Sequence, residues 1–179
     1  FLLEMATGTG KTTTSAAIIK MFLRLYKVNR VLFLVDRLEL ENQAKKEIND
    51  ILQNDFETAI WKENKDDWRR ANIVISTVQS FTKHNKYKRI FKPNSFDLVI
   101  SDEAHRSLGQ RSRNVFEYFI GFKLGLTATP RDFLKSVNED DMSMIDPKQL
   151  ERRLMLDTYS IFGCEDGEPT YRYTCLLYT

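Results

Sequence analysis

Cysteine is scarce in this chain: Cys164 and Cys175 are the two it has. Two thiols at that spacing give no zinc-ligand pattern and no disulfide framework, so a reducing, cytoplasmic setting is the expectation. Long apolar runs are also missing. The most continuous, Val31–Val35, has the length of a strand, far below the roughly 20 residues that a membrane-spanning helix needs. No secretory leader pattern, internal repeat or low-complexity tract is visible. Charge of one sign is not in excess: a net charge of +2 is no polyanion-binding footprint in itself, although a local basic stripe fits within it.

What is present reads as an ordinary soluble domain. The 179 residues suffice for one core, and 42% hydrophobic with 29% charged residues fits a globular α/β chain. The first residue is Phe1, inside what reads as a strand, so the chain is expected to be a piece of a longer protein. Apolar runs alternate with helical stretches. Strands are expected at Phe1–Met5, Val31–Val35, Thr58–Trp61, Ile73–Ser76, Leu98–Ser101 and Leu124–Thr127. Helices are expected at Lys11–Tyr26, Leu38–Leu52 and Asn114–Phe119, with a further one at Lys148–Asp157. The last stretch, from Tyr159 to Thr174, reads as strand interrupted by turns. Strands separated by helices imply a mostly parallel sheet with helices on both faces.

Three short segments carry chemistry. The first is Met5-Ala6-Thr7-Gly8-Thr9-Gly10-Lys11-Thr12-Thr13, between a strand and a helix. Backbone N–H groups at a helix start suit phosphate oxygens, and glycine lets the backbone approach them closely. Lys11 brings positive charge to the outer phosphates of ATP, and Thr12 offers a hydroxyl to Mg²⁺. Thr7, Gly8, Thr9, Gly10 and Thr13 complete the expected nucleotide cradle. Counting back from Gly10 puts Met5 where the common phosphate-loop pattern has its first glycine. The plain alternative is a glycine-rich turn, which the strand-loop-helix context argues against.

The second segment is Ser101-Asp102-Glu103-Ala104-His105, at the end of an apolar run. In a parallel α/β sheet the carboxyl ends of strands face the ligand. Asp102 can hold Mg²⁺ and Glu103 can orient and deprotonate an attacking water, while His105 relays nucleotide state. The plain alternative is an acidic start to a surface helix. The third is Leu124-Gly125-Leu126-Thr127-Ala128-Thr129-Pro130, where the Thr127 and Thr129 hydroxyls at a strand's carboxyl end can bond His105 or Glu103 and sense hydrolysis.

Met5–Thr12 resembles motif I of superfamily-two helicases and translocases, whose branch tolerates a residue other than glycine at its first position. The stretch from Arg30 to Ile48 looks like motif Ia, Ile73–Phe81 like motif Ib, and Leu124–Pro130 like motif III. Together with the segment from Asp157 to Thr174, they resemble the restriction subunit of type I restriction–modification systems, in a group that includes type III restriction subunits. The resemblance implies a RecA-like P-loop NTPase lobe over residues 1–130, with 131–179 as an extension toward a second lobe. It implies ATP and Mg²⁺ as ligands and an ATP-driven motor on double-stranded DNA. It implies, as partners, a second RecA-like lobe and a nuclease domain of the same chain, and separate methylation and specificity subunits. Arg37, Thr77 and Gln79 carry over as DNA contacts. The closing Cys-Leu-Leu-Tyr-Thr departs from the family's pattern. Two other readings remain: an RNA or DNA-repair helicase lobe, and a fragment that binds nucleotide with negligible hydrolysis of its own.

Overall fold

Val31–Val35 is a run of five apolar residues, and the structure buries every one of them. Alternate side chains of a strand point to opposite faces. Val31, Phe33 and Val35 pack into one apolar layer, and Leu32 and Leu34 into another. A strand apolar on both faces belongs in the middle of a sheet covered twice, and that is its place here. The computed structural model describes residues 1–53, 55–61, 63, 66–104, 110–132, 146, 148, 157–164 and 166–173, with the backbone alone for 110–112.

In chain order the elements are β1 (Leu2–Met5), α1 (Lys11–Arg24), β2 (Val31–Val35), α2 (Glu39–Leu52), β3 (Thr58–Ile60) and α3 (Asp67–Arg70). There follow β4 (Ile73–Thr77), α4 (Val78–Thr82), a 3₁₀ turn (Lys83–Asn85), α5 (Lys86–Ile90), β5 (Leu98–Ser101), α6 (Gln110–Tyr118) and β6 (Phe122–Thr127). The last two are α7 (Thr158–Ile161) and β7 (Tyr171–Tyr173). Among the described residues the seven strands form one sheet in the order β3-β4-β2-β5-β6-β1-β7, and every pairing is parallel.

Helices cover both faces. On one side α1 contributes Ala16, Ile19 and Leu23, and α2 contributes Ala44, Ile48 and Leu52, the three- and four-residue spacing of an apolar stripe. On the other side the layer is aromatic. Phe81 of α4 is fully buried and lies 5.4 Å from Trp61, 5.5 Å from Tyr87 and 5.7 Å from Phe91, centroid to centroid. Trp61 and Trp68, at the two ends of a charged stretch, are both core residues, in edge-to-face contact at 4.7 Å.

The register aligns the strand ends that matter. Leu34 lies opposite Ser101, Ser101 opposite Gly125, and Glu4 opposite Thr127. The carboxyl ends of β5, β2, β6 and β1 therefore open on one side of the sheet, stepped by up to three residues from Ser101 to Met5. The chain beyond Pro130 returns to this sheet: Leu3 of β1 pairs with Tyr171 of β7, and the Phe162 ring lies over Gly125. A Cβ at Gly125 would sit 2.6 Å from that ring, so the close approach requires glycine.

Expected and observed elements differ in the short pieces. α3, α4 and α5 span four or five residues, too few for a helical period to register in the sequence. The stretch from Tyr159 was expected as strand. It starts as a helical turn because Asp157 caps it, its carboxylate accepting the Ser160 N–H at 2.9 Å. The helix expected at Lys148–Asp157 lies almost wholly outside the described residues. Among the described residues no helix is long and apolar enough to cross a membrane.

Phe81 is the centre of the aromatic layer, so Phe81→Ala is expected to cost about 3–5 kcal/mol. Urea unfolding followed by tryptophan fluorescence measures this; a loss under about 1 kcal/mol would remove Phe81 from that role.

Candidate functional site

Met5, where a first glycine is common, is the last residue of β1, and its side chain is buried in the layer shared with α1 and α2. The position is thus part of the core. The loop proper begins at Ala6, whose carbonyl accepts the N–H of Thr9 at 3.3 Å and its hydroxyl at 2.7 Å. Gly8 and Gly10 have φ of 78° and 82°. Nothing lies within 4 Å of a Cβ built on Gly8, so left-handed backbone, not crowding, demands glycine there. Gly10 precedes α1 and gives it no side-chain cap. The Gly10 carbonyl first accepts from Thr14, at 2.8 Å. The N–H groups of Lys11, Thr12 and Thr13 have no acceptor within the helix, and they sit at the positive end of its dipole.

β5 ends in a second unusual turn. The Asp102 N–H donates to Leu34 of β2 at 2.9 Å, and the Ala104 N–H to Leu126 of β6 at 2.8 Å. Between them the chain changes partner strand, and Glu103 takes φ 53° to do so. A left-handed non-glycine residue costs roughly 1–2 kcal/mol. Here it accompanies a specific contact: Glu103 Oε1 lies 3.2 Å from Lys11 Nζ. Asp102 Oδ1 accepts the Glu103 N–H at 3.0 Å. Burial first, and repulsion from Glu103 second, push the Asp102 carboxyl above the usual carboxylate range. The Glu103 N–H bond and Lys11 offset part of this, and Glu47 adds to it.

These groups share one cleft of ≈ 450 Å³. Thr7, Gly8, Gly10, Lys11 and Thr12 line it from the loop, Asp102 and Glu103 from the β5 turn. Leu40, Gln43 and Glu47 line it from α2. This row was not singled out in the sequence, although its spacing marks one helix face. Thr9 and Thr13 are not among the lining residues: the Thr9 hydroxyl turns back to Ala6, and that of Thr13 donates to Glu47 at 2.7 Å.

Thr127 ends β6, fully buried, and its hydroxyl accepts the N–H of exposed Thr129 at 3.1 Å. His105 lies outside the described residues. Arg37 is exposed and paired with Asp36 at 3.6 Å. Thr77 is buried; its hydroxyl caps α4 by accepting the Ser80 N–H at 3.1 Å. Its N–H donates to Glu41 Oε1 at 2.7 Å. Glu41, also buried, ties α2 to the β4–α4 turn; burial pushes its carboxyl up, and the Thr77 bond offsets part of that. Gln79 is exposed and opens into a separate cleft.

Among the described residues no three His, Cys, Asp or Glu side chains are grouped to hold a metal ion. Within the cleft the half-buried Asp102 carboxylate and the Thr12 hydroxyl are both hard oxygen donors. That set fits Mg²⁺, which takes one or two protein ligands and completes its shell with substrate phosphates and water.

With this geometry in hand, comparison with known proteins places the chain. The family model described as "Type III restriction enzyme, res subunit" matches residues 1–132. The endonuclease subunit of the type I restriction enzyme EcoAI of Escherichia coli is 37% identical over 142 residues, which cover 73% of this chain and 17% of that subunit. The EcoKI endonuclease subunit of Escherichia coli (strain K12) is 31% identical over an aligned 198 residues, covering 97% of this chain and 14% of that one. The chain thus spans about a sixth of the length of these curated relatives. Among solved structures, the Pyrococcus furiosus Hef helicase domain superposes with a TM-score of 0.67 at 20% identity, over 97% of this chain and 34% of that one. The Sulfolobus solfataricus SWI2/SNF2 ATPase core, solved in complex with dsDNA, gives 0.64 at 15% identity, over 87% and 33%. The chain belongs to the type III restriction enzyme res subunit family, and it shares the RecA-like lobe fold of these solved helicase and ATPase cores.

Proposed function

We propose that this chain is the ATP-binding motor lobe of a restriction subunit that couples ATP hydrolysis to movement on double-stranded DNA. The observation that carries the reading is the 3.2 Å approach of Lys11 to Glu103 in the cleft that Asp102 and Thr12 also line. A lysine at a helix start, beside unbonded N–H groups, serves a polyphosphate. Two carboxylates on the opposite wall would repel one, unless a cation lies between.

Each residue then has a task. The N–H groups of Lys11, Thr12 and Thr13 bind phosphate oxygens, and Lys11 gives its charge to the outer phosphates. Asp102 and Thr12 would hold Mg²⁺, which would supply charge neutralisation on the phosphate oxygens. As Lys11 turns to the phosphates, Glu103 is released to orient a water in line with the γ-phosphate and accept its proton. Thr127 ends the strand between those of Lys11 and Glu103, where it can pass a change at the phosphate to Thr129. Residues 1–130 carry these groups. A second RecA-like lobe and a nuclease domain of the same polypeptide, with methylation and specificity subunits, complete the assembly in the cytoplasm.

One observation supports a narrower statement about the isolated chain. Among the described residues lining the cleft, Lys11 is the one cation. Phosphoryl-transfer sites of this kind gain about 10³–10⁵ in rate from an arginine supplied by another lobe or partner. Alone, the chain binds nucleotide and hydrolyses it slowly; brisk phosphate release from the isolated chain would overturn that statement.

In the intact protein, Glu103→Gln is expected to retain ATP binding while DNA-stimulated phosphate release falls at least about 100-fold. Lys11→Ala is expected to lose both. Unchanged DNA-stimulated turnover in either variant refutes the assignment. Stimulation by structured RNA in place of duplex DNA would move the reading to an RNA helicase.

Asp102 gives a second test. Its raised carboxyl means that folding favours the protonated form, so stability falls as pH rises through the window above the usual carboxylate range and stays lower at neutral pH. Asp102→Asn keeps the bond to the Glu103 N–H and removes the charge. The metal-free variant is therefore expected to melt above wild type at pH 7, with the gain vanishing near pH 3 and the Mg²⁺-dependent part of ATP binding lost. A melting temperature at or below wild type at pH 7 contradicts this account.

A further inference from the structure

From Val78 to Phe96 the sequence contains no acidic residue, yet it holds Lys83, Lys86, Lys88, Arg89 and Lys92, with His84 among them. In a chain of net charge +2, this is a local concentration of one sign. The fold makes a surface of it. Tyr87 and Phe91 are buried and anchor the segment in the aromatic layer, with Phe91 4.9 Å from Phe96 and Tyr87 5.5 Å from Phe81. All five cations are exposed. Lys86 and Arg89, three apart on α5, share a helix face.

Several cations elsewhere on the chain are paired with acids. Lys11, Arg24, Arg37, Lys45, Arg69, Arg113 and Arg172 are each within 4.0 Å of a carboxylate. Among the described residues, none of the five takes an ion pair. Lys88 instead lies over the rings of Tyr87 and Tyr118, at 5.8 and 5.7 Å. Beside them opens a cleft of ≈ 430 Å³ whose polar lining includes Gln79, Thr82, His84, Asn85 and Asn114. His84 and Asn85 are consecutive left-handed residues, φ 55° and 52°, which turn the chain sharply at the cleft's rim. Strain of this kind persists where the surroundings hold it in place and clusters at functional sites.

We infer that the knuckle formed by α4, the 3₁₀ turn and α5 is a contact site for the phosphate backbone of duplex DNA. Lys83, Lys86, Lys88, Arg89 and Lys92 neutralise phosphates, and Gln79 and Asn85 offer amide donors from the cleft. Exposed lysines without ion pairs match a regularly charged polymer, whereas lysine is depleted from protein–protein interfaces. The aromatic residues that would anchor a protein partner are turned into the core. The choice of DNA rests on the function proposed above; the polyanion chemistry does not.

The test compares the full chain with a Lys83→Ala/Lys86→Ala/Arg89→Ala variant, using fluorescence anisotropy on a labelled DNA duplex at several salt concentrations. Loss of three phosphate contacts should lower affinity about tenfold or more at low salt and make the slope of log K against log salt shallower by about 2–3. The corresponding Lys→Arg variant should restore both. Fluorescent ATP binding, read in the same samples, should not change. Unaltered DNA affinity and slope overturn the inference, as does loss confined to a duplex RNA of the same sequence. A wild-type chain that fails to bind ATP would defeat the ATP reading alone, leaving the DNA result to stand or fall by itself.

Discussion

The fold's central constraint is electrostatic. Lys11 and Glu103 must meet, although they leave the sheet from β1 and β5, with β6 between. Adjacent strands lie about 4.8 Å apart, so the two side chains have roughly 10 Å to span. Lys11 covers its share from the first turn of α1. Glu103 covers the rest from a left-handed backbone that switches its neighbours from β2 to β6. Both unusual features arise at this turn: the left-handed backbone carries Glu103 to Lys11, and burial, with Glu103 alongside, raises the Asp102 carboxyl.

Everything around that pair serves to keep it in register. The register of β1, β2, β5 and β6 fixes the distance, and the apolar residues buried on both sheet faces fix the strands. The two faces differ in kind. The face of α1 and α2 is aliphatic and supports the phosphate loop and the cleft wall. The face of α4, α5 and α6 is aromatic and supports the basic knuckle. Glu41 bridges the two regions by binding the Thr77 N–H from α2. The protein thus places its proposed ATP site and its proposed DNA contact on opposite supports of one sheet.

Much of this was legible in the residues. The limits of Val31–Val35 and Leu98–Ser101 matched, because uninterrupted apolar residues between polar turns leave little choice. The site core was legible because Gly-Lys-Thr after a strand and Asp-Glu after another have few structural uses together. Other features were not. A four-residue helix such as α3 has no period to read. Gln43 and Glu47 look like ordinary surface positions of a charged helix until the fold turns that face into the cleft. Thr77 looked like a DNA contact by its place in a motif; its hydroxyl is engaged as the cap of α4. Tyr87 and Phe91 lie among lysines in the chain, and the packing buries them while the cations stay exposed.

The central claim is that both walls of the cleft act on one metal–triphosphate. Electron–nuclear double resonance with Mn²⁺ in place of Mg²⁺ tests it directly, using ATP and protein carrying ¹³C-carboxyl aspartate. The account predicts ³¹P couplings from the phosphates together with a ¹³C coupling that disappears in Asp102→Asn. Phosphate couplings with no carboxylate coupling in wild type would mean that Asp102 does not share the ion, and the account would be wrong.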